Sequence, residues 1–496
     1  MNSSTTPTAS IAAKGMAWTM ANVVAMKSMS FGCQIALGYI LSSDTYAVFA
    51  AAAAALTLTS GLQNSGVNKV LIQQQNRYDS IAADFGGFAV YLSLIGSALM
   101  IAVSVLLARL YNMPSLIAVL SLTAISIPLL SLNSLYAARQ SIGLRFRDAS
   151  LFSVSYTALY SVLLVGFAFA GAAEFSVAAA TVIAVAAQLY LYRHFLGSVP
   201  INMSPSFRSV RNAAGTLKWT ILSSYLFGFS QNSDFLVLGS LLEKVEMGNY
   251  YFGYMLSANI GLLLSLSISQ ILMPIFSKMS DSPDTLRESF ASSSSAIIVL
   301  CGCLCLCVLG VGPELVHITW QGKWDNATIV MIATISTFPV RILASMGAVA
   351  MEVKGRWGWR TGTLAYDAIG MAVSAGLGAN FAGLTGAAVA VAAHRGMSGL
   401  VSMPVGMAGL GFRAQDIVSY LIRTITPYIV ASAILFAAKS SVPSIPQQVN
   451  FYSAFCSVAI TGCSVFAFCL LSLKLNPSLA ESVSSKASQA FRRCFC

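Results

Sequence analysis

The chain has 496 residues, of which 56% are hydrophobic and only 9% charged, with a mean hydropathy of +0.75. So few polar groups cannot coat a water-soluble particle of this length, which leaves an integral membrane protein. The net charge of +11 sits on residues scattered between apolar runs rather than in a basic module interleaved with aromatics, so nucleic acid is excluded as a partner and the charge reads as a topology signal.

Long apolar runs, rather than alternating ten-residue segments, predict an all-α membrane bundle. Fourteen spans follow in chain order: 14–41, 44–64, 83–108, 114–137, 150–171, 176–196, 217–242, 249–276, 291–313, 327–350, 361–380, 384–406, 418–438 and 451–473. Spans 2, 11 and 12 are the weakest, because Ala and Gly replace Leu and Ile. If the N-terminus is cytoplasmic, 21 of the 28 basic residues fall in segments on that side. Only Arg109, Lys244, Lys323 and Lys439 fall opposite. That bias predicts an even number of spans with both termini cytoplasmic. No cleavable signal is expected, since the first run is long and no clear small-residue cleavage site follows it.

Every connection is short. The longest, 197–216 ("GSVPINMSPSFRSVRNAAGT"), is polar and carries two prolines. It divides the chain into an N-terminal six-helix lobe (1–196), a cytoplasmic linker (197–216) and a C-terminal six-helix lobe (217–406). An additional helix pair (407–473) and a cytoplasmic tail (474–496) complete the expected organisation. An internal repeat agrees with this division: Trp18 and Trp219 precede Gly38 and Gly239 by the same twenty residues. Both copies lead into aromatic stretches, "TYAVFA" (45–50) and "NYYFGY" (249–254). Spans 1 and 7 run in the same direction, so the repeat is parallel, and transporters built that way hold substrate between the halves.

Ionisable side chains deep in a span face the bundle interior or a wet cavity, and each costs about 2.5–3.5 kcal/mol on insertion scales. Five stand out. Lys27 lies thirteen residues into span 1, roughly 20 Å at a helical rise, too far to snorkel easily. Arg395 sits mid-span 12 beside His394; Asp234 is in span 7, Arg341 in span 10 and Asp367 in span 11. Arg341 and Asp367 lie at similar depth on consecutive spans, so one ion pair could satisfy both. Pairing Lys27 with Asp234 would bridge the two halves. The three cations exceed the two acids by one, and a net-positive cavity suits an anionic ligand whose phosphate oxygens a guanidinium can grip in two places. Lys27 and Arg395, with Arg341, are therefore the substrate-binding candidates. His394 is either a proton relay or a core histidine bonded to a carbonyl.

The remaining clusters carry less chemistry. The four thiols of "CGCLCLC" (301–307) spread around a helix and do not converge on one ion, so they read as small core residues. The terminal "RRCFC", with Cys494 and Cys496, is no C-a-a-X box and fits a reducing cytoplasmic tail. "HITWQGKWDN" (317–326) and "VKGRWGWR" (353–360) read as interfacial anchors, with sugar stacking on Trp320 or Trp324 as the alternative. No nucleotide-binding loop, H-E-x-x-H or G-x-S-x-G occurs, so transport by ATP hydrolysis within the chain is not expected; no metal or cofactor is expected either.

Dispersed motifs nevertheless carry a resemblance. "KGMAWT" opens the chain, "SGVNKVLIQQ" (65–74) follows span 2, and "YAARQSIGLRFRD" (136–148) follows span 4. "LMPIFSKMSDSPDTLRESF" (272–290) and "WQGKWDNATIVM" (320–331) come later. In order and spacing the chain resembles bacterial polysaccharide flippases of the Wzx type, in particular their colanic-acid and exopolysaccharide branch. That group belongs to the superfamily of the multidrug and toxin extruders and the lipid II flippase. The resemblance implies two six-helix lobes plus two helices around a cavity with alternating access in the bacterial inner membrane. It also implies transfer of an undecaprenyl-pyrophosphate-linked oligosaccharide between leaflets, with membrane lipids and the pathway's polymerase and co-polymerase as partners. By helix order alone, Asp234, Asp367 and His394 match a cation site of the lipid II flippase, so H+ or Na+ is the candidate coupling ion. Arg395 in that site could replace the cation. Asn64 in "LQNSG" departs from the acid that family members often carry there. A drug or cation exporter of the same superfamily would need an acid-dominated cavity, and a membrane polymerase or ligase a long periplasmic loop.

Overall fold

The computed structural model describes residues 6–63, 67–73, 78–143, 145–202, 207–279, 282–441 and 451–476. Asn64, Cys494 and Cys496 lie outside them. Helices follow one another along the chain: α1 (Thr6–Ile40), α2 (Ser43–Gln63), a short α3 (Val67–Gln73), α4 (Tyr78–Leu110), α5 (Ser115–Ile142), α6 (Phe146–Phe169) and α7 (Ser176–Leu196). Then come α8 (Phe207–Leu241), α9 (Lys244–Lys278), α10 (Pro283–Trp320), α11 (Asp325–Val353), α12 (Trp357–Gly409), α13 (Ala414–Ser440) and α14 (Phe451–Leu475). A helix satisfies every backbone N–H and C=O within its own segment, which hydrocarbon demands.

α12 is two helices joined at a break. Ala382 (φ −150°, ψ 33°) and Gly383 (φ 54°, ψ −136°) leave helical geometry there, and glycine alone takes such a positive φ without strain. Along a straight helix Asp367 and His394 would stand about 40 Å apart, yet His394 Nε2 lies 3.2 Å from the Asp367 carbonyl oxygen. The chain therefore reverses between Asp367 and His394, with 357–381 as a first arm of α12 and 384–409 as a second. With the arms counted separately, the described residues hold fourteen helical segments of membrane-spanning length, matching the fourteen expected. Ten helices, α12 counted once, also meet an apolar composition suited to crossing a membrane. The protein is a multi-pass, all-α membrane protein.

The chain forms two compact units, one of Met1–Asn259 with Ala368–Leu384, the other of Ile260–Asp367 with Thr385–Cys496. In the first, α2 packs against α4, α5 and α8, and Ala47, Ala50, Ala51, Ala54 and Ala55 are all fully buried. Small side chains let backbones approach closely in a bundle, which explains why this span looks weak by hydropathy: it faces protein. α1 lies along α6, and α4 along α5. The start of the predicted linker docks in a notch on α4. A side chain on Gly87 would bring Cβ to 1.9 Å from the Asn202 carbonyl oxygen. The Asn202 N–H donates to the Ala83 carbonyl at 2.8 Å, and its Nδ2 to Asp84 Oδ1 at 2.7 Å.

In the second unit α10 packs against α11, α13 and α14, so the last helix pair is built into that core. A Cβ on Gly302 would meet the Phe468 ring at 2.5 Å. Lys439 Nζ bridges Glu314 Oε1 at 2.8 Å and the Gly310 carbonyl at 2.7 Å. The thiols of 301–307 divide as their spacing predicts: Cys301 lies 4.0 Å from Cys305, and Cys303 lies 3.5 Å from Cys469 on α14. Among the described residues no cluster able to hold a metal occurs. Trp320 and Trp324 correct an expectation. They are 6% and 0% exposed, so they fill the core and neither anchor at an interface nor offer a face to sugar. Trp357 and Trp359 are exposed, as interfacial anchors require.

Candidate functional site

Two groups of polar side chains lie inside the helices, one in each unit. The group in the second unit is positioned by glycine. α11 crosses the second arm of α12 so closely that a Cβ on Gly399 would lie 1.9 Å from the Val340 carbonyl oxygen and 3.3 Å from Arg341 Cα. Gly347 meets the Ser402 carbonyl in the same way, at 2.2 Å. This crossing brings Arg341 beside the turn that carries His394, Arg395 and Ser398.

Asp367 faces that turn from the first arm. His394 Nε2 lies 3.4 Å from Asp367 Oδ1 and 3.2 Å from the Asp367 carbonyl oxygen. A carbonyl only accepts, so Nε2 carries a proton in this arrangement. Ser398 hydrogen-bonds the carboxylate, and the guanidinium groups of Arg395 and Arg341 both act on its charge. The Tyr366 ring flanks His394, centroids 5.3 Å apart. His394 and Arg395 are buried, at 6% and 2% exposure. Two arginines thus act on one aspartate in this cluster. Arg360, paired with Glu352 at 3.4 Å, also acts on the Asp367 charge.

In the first unit Asp234, on α8, is fully buried. The Tyr250 hydroxyl of α9 donates to its Oδ2 at 2.9 Å, and the Phe235 N–H to its Oδ1 at 3.1 Å. Aromatic rings surround the carboxylate. Phe235 meets Tyr250, Tyr251 and Tyr254 edge-on, at centroid distances of 5.8, 5.2 and 5.3 Å. Tyr46 of α2 meets Phe252 edge-on at 5.1 Å. The two aromatic stretches that follow the sequence repeat thus pack on each other. Edge-to-face contacts are the favoured geometry for such rings.

Lys27 is half-buried on α1. It forms no ion pair with Asp234, and among the described residues no acid pairs with it. The site residues therefore divide: Asp367, His394, Arg395 and Arg341 come together in one unit, while Lys27 and Asp234 stand separately in the other. Tyr250 and Ser398 are the partners that charge-seeking sequence reasoning missed. The aromatic run "NYYFGY" was a signal for the first, and the i+4 spacing from His394 for the second.

A family model described as "Polysaccharide biosynthesis protein" matches residues 36–329. No curated protein matches the chain. Among solved structures, the lipid II flippase MurJ in an inward closed conformation superposes with a TM-score of 0.66 at 10% identity, over 93% of this chain and 98% of that one. An inward-facing multidrug resistance MATE family transporter of the MOP superfamily gives 0.59 at 10% identity, over 78% and 94%. A MOP superfamily transporter from Pyrococcus furiosus, described as having a binding pocket of reverse polarity, gives 0.54 at 11% identity, over 80% and 96%. At these identities the likeness is one of fold.

Proposed function

The chain belongs to the polysaccharide biosynthesis protein family, and from that premise we propose that it is a flippase for polyprenyl-pyrophosphate-linked oligosaccharides in the bacterial inner membrane. A hydrophilic sugar and a charged pyrophosphate cannot cross hydrocarbon unaided, while the polyprenyl tail needs no help. The protein's task is then to offer the head group a polar, cationic path. Lys27, Arg395 and Arg341 hold the pyrophosphate in this reading. Asp234, Asp367 and His394 are the groups through which H+ or Na+ would couple. Lobes 1–196 and 217–406, joined by the 197–216 linker, rock to turn the cavity from the cytoplasmic to the periplasmic leaflet, with both termini cytoplasmic. A polymerase and co-polymerase would take the product.

The observation that carries this reading is Lys27, an ammonium in a spanning helix with no acid partner among the described residues. Such a group costs about 2.5–3.5 kcal/mol on insertion scales, a cost that a bound anion offsets. The acids point the same way. Lys27, Arg341 and Arg395 outnumber Asp234 and Asp367 by one, whereas a cation exporter needs an acid-dominated cavity. The structural match to the lipid II flippase extends over 93% of the chain against 78% for the multidrug transporter, which supports a flippase-type architecture.

The test is reconstitution in liposomes with a pyrophosphate-linked oligosaccharide and, in parallel, a neutral glycolipid. Removing one charge-assisted contact costs about 1.5–3 kcal/mol, so Lys27→Ala should slow pyrophosphate-linked transfer by roughly 10- to 100-fold, with Lys27→Arg retaining most of it. If a folded Lys27→Ala protein moves that substrate at the wild-type rate, the cationic grip is wrong.

A further inference from the structure

The turn between α4 and α5 carries a tyrosine whose position the mechanism above does not use. Asn112 stands in the left-handed region at φ 52°, a conformation that asparagine tolerates better than most residues. The Met113 N–H then closes the helix on the Ala108 carbonyl at 3.0 Å. This turn delivers Tyr111, 6% exposed, onto α8. The Tyr111 hydroxyl donates to the Leu236 carbonyl at 2.8 Å, using the lone pair that the helix leaves free. Its ring fills the space a side chain would need at Gly239: a Cβ there would lie 2.7 Å from Cζ and 2.9 Å from Cε1 and Cε2. Gly239 is one of the two glycines of the sequence repeat, and this contact accounts for it.

A second notch lies beyond the α8–α9 turn. A Cβ on Gly248 would stand 1.9 Å from the Ser43 carbonyl oxygen, so the first turn of α2 presses on α9 where Tyr111 presses on α8. Both partners of the hairpin come from the first half of the chain, and both contacts use the absence of a side chain. The Tyr111 contact sits at the tip of the hairpin and consists of one hydrogen bond and the packing of one ring. Burial pushes the Tyr111 phenol up to about 12, so it remains a donor throughout the physiological range.

We propose that Tyr111 seated in the Gly239 notch is a breakable latch holding the α8–α9 hairpin to the α4–α5 turn, and that it opens in each transport cycle. Tyr111 is a positioning residue, acting on hairpin opening rather than on substrate. This inference rests on the flippase reading above, which makes the hairpin end the one facing the periplasm.

Hydrogen exchange of the full chain in lipid nanodiscs tests it, read over residues 236–248 and paired with transport in liposomes. For the wild type, adding a pyrophosphate-linked oligosaccharide should accelerate exchange in 236–248. Tyr111→Ala and Gly239→Ala should raise it roughly tenfold without substrate and blunt the substrate response, because the hydrogen bond and ring packing together are lost. Tyr111→Phe should give an intermediate rise, and Asn112→Gly should match the wild type. If Tyr111→Ala fails to fold, Tyr111→Phe and Gly239→Ala carry the same measurement. Wild-type exchange in all three latch variants would overturn the proposal, as would raised exchange with an unchanged transport rate and substrate response. Should the wild type move no pyrophosphate-linked sugar at all, the flippase reading fails, while the substrate-free exchange of the variants still reports on the latch itself.

Discussion

Replacing Gly399 by alanine adds one methyl group where α11 and the second arm of α12 cross. That carbon would stand 1.9 Å from the Val340 carbonyl oxygen and 2.8 Å from its carbon, about 1.5 Å inside ordinary van der Waals contact. A carbonyl fixed in a helix cannot swing aside, so the helices must part. Overpacking of this sort costs about 1–3 kcal/mol, opposed by a helix-propensity gain of about 1 kcal/mol for leaving glycine. The same displacement carries Arg341, whose Cα lies 3.3 Å from the added carbon, away from Asp367. Gly396 is the internal control: on the same arm, its added Cβ meets only the Thr337 side chain, at 3.5 Å. Thermal unfolding in detergent should show Gly399→Ala clearly less stable than the parent, with transport reduced, and Gly396→Ala equal to or above it. Equal behaviour of the two variants would refute the close crossing as the device that positions Arg341.

Tyr250→Phe removes a hydroxyl bonded to a fully buried carboxylate. Loss of a hydrogen bond to a charged group costs about 1.5–3 kcal/mol, so the variant should be destabilised. Combining it with Asp234→Asn should cost less than the sum of the two, which a double-mutant cycle in unfolding experiments will measure. Cys303 and Cys469 stand 3.5 Å apart on α10 and α14. Copper phenanthroline, which accepts the two electrons as two thiol protons leave, should therefore join peptides from these helices in a disulfide seen by mass spectrometry.

The fourteen helical segments were legible because hydrocarbon permits few alternatives. A spanning segment must satisfy its own backbone and keep most charges out of lipid, and both demands leave marks on composition that survive without any knowledge of neighbours. Even the weak spans were placed correctly. Their low hydropathy reports burial in protein: α2 with its enclosed alanines, and the second arm of α12 with Gly399 and Gly406 set against α11. The buried charges were legible for the same reason, since Lys27, Asp234, Arg341, Asp367 and Arg395 each interrupt an apolar run.

Partnership was not legible. Arg341 and Asp367 looked like a self-contained pair by depth, but the reversal at Ala382 and Gly383 brings His394, Arg395 and Ser398 against the same carboxylate. Trp320 and Trp324 looked like interfacial residues by their charged neighbours, but the packing of α10 and α11 turns both inward. A hydropathy pattern records how far a residue lies from water along one helix. Which helices meet, and which faces they turn to each other, depends on glycine notches such as those at 239, 248 and 399. The sequence alone thus determined a multi-pass helical membrane protein with charges buried in its spans. Only the tertiary structure decided which charges meet, because the close backbone approaches that join them are made by side chains that are absent.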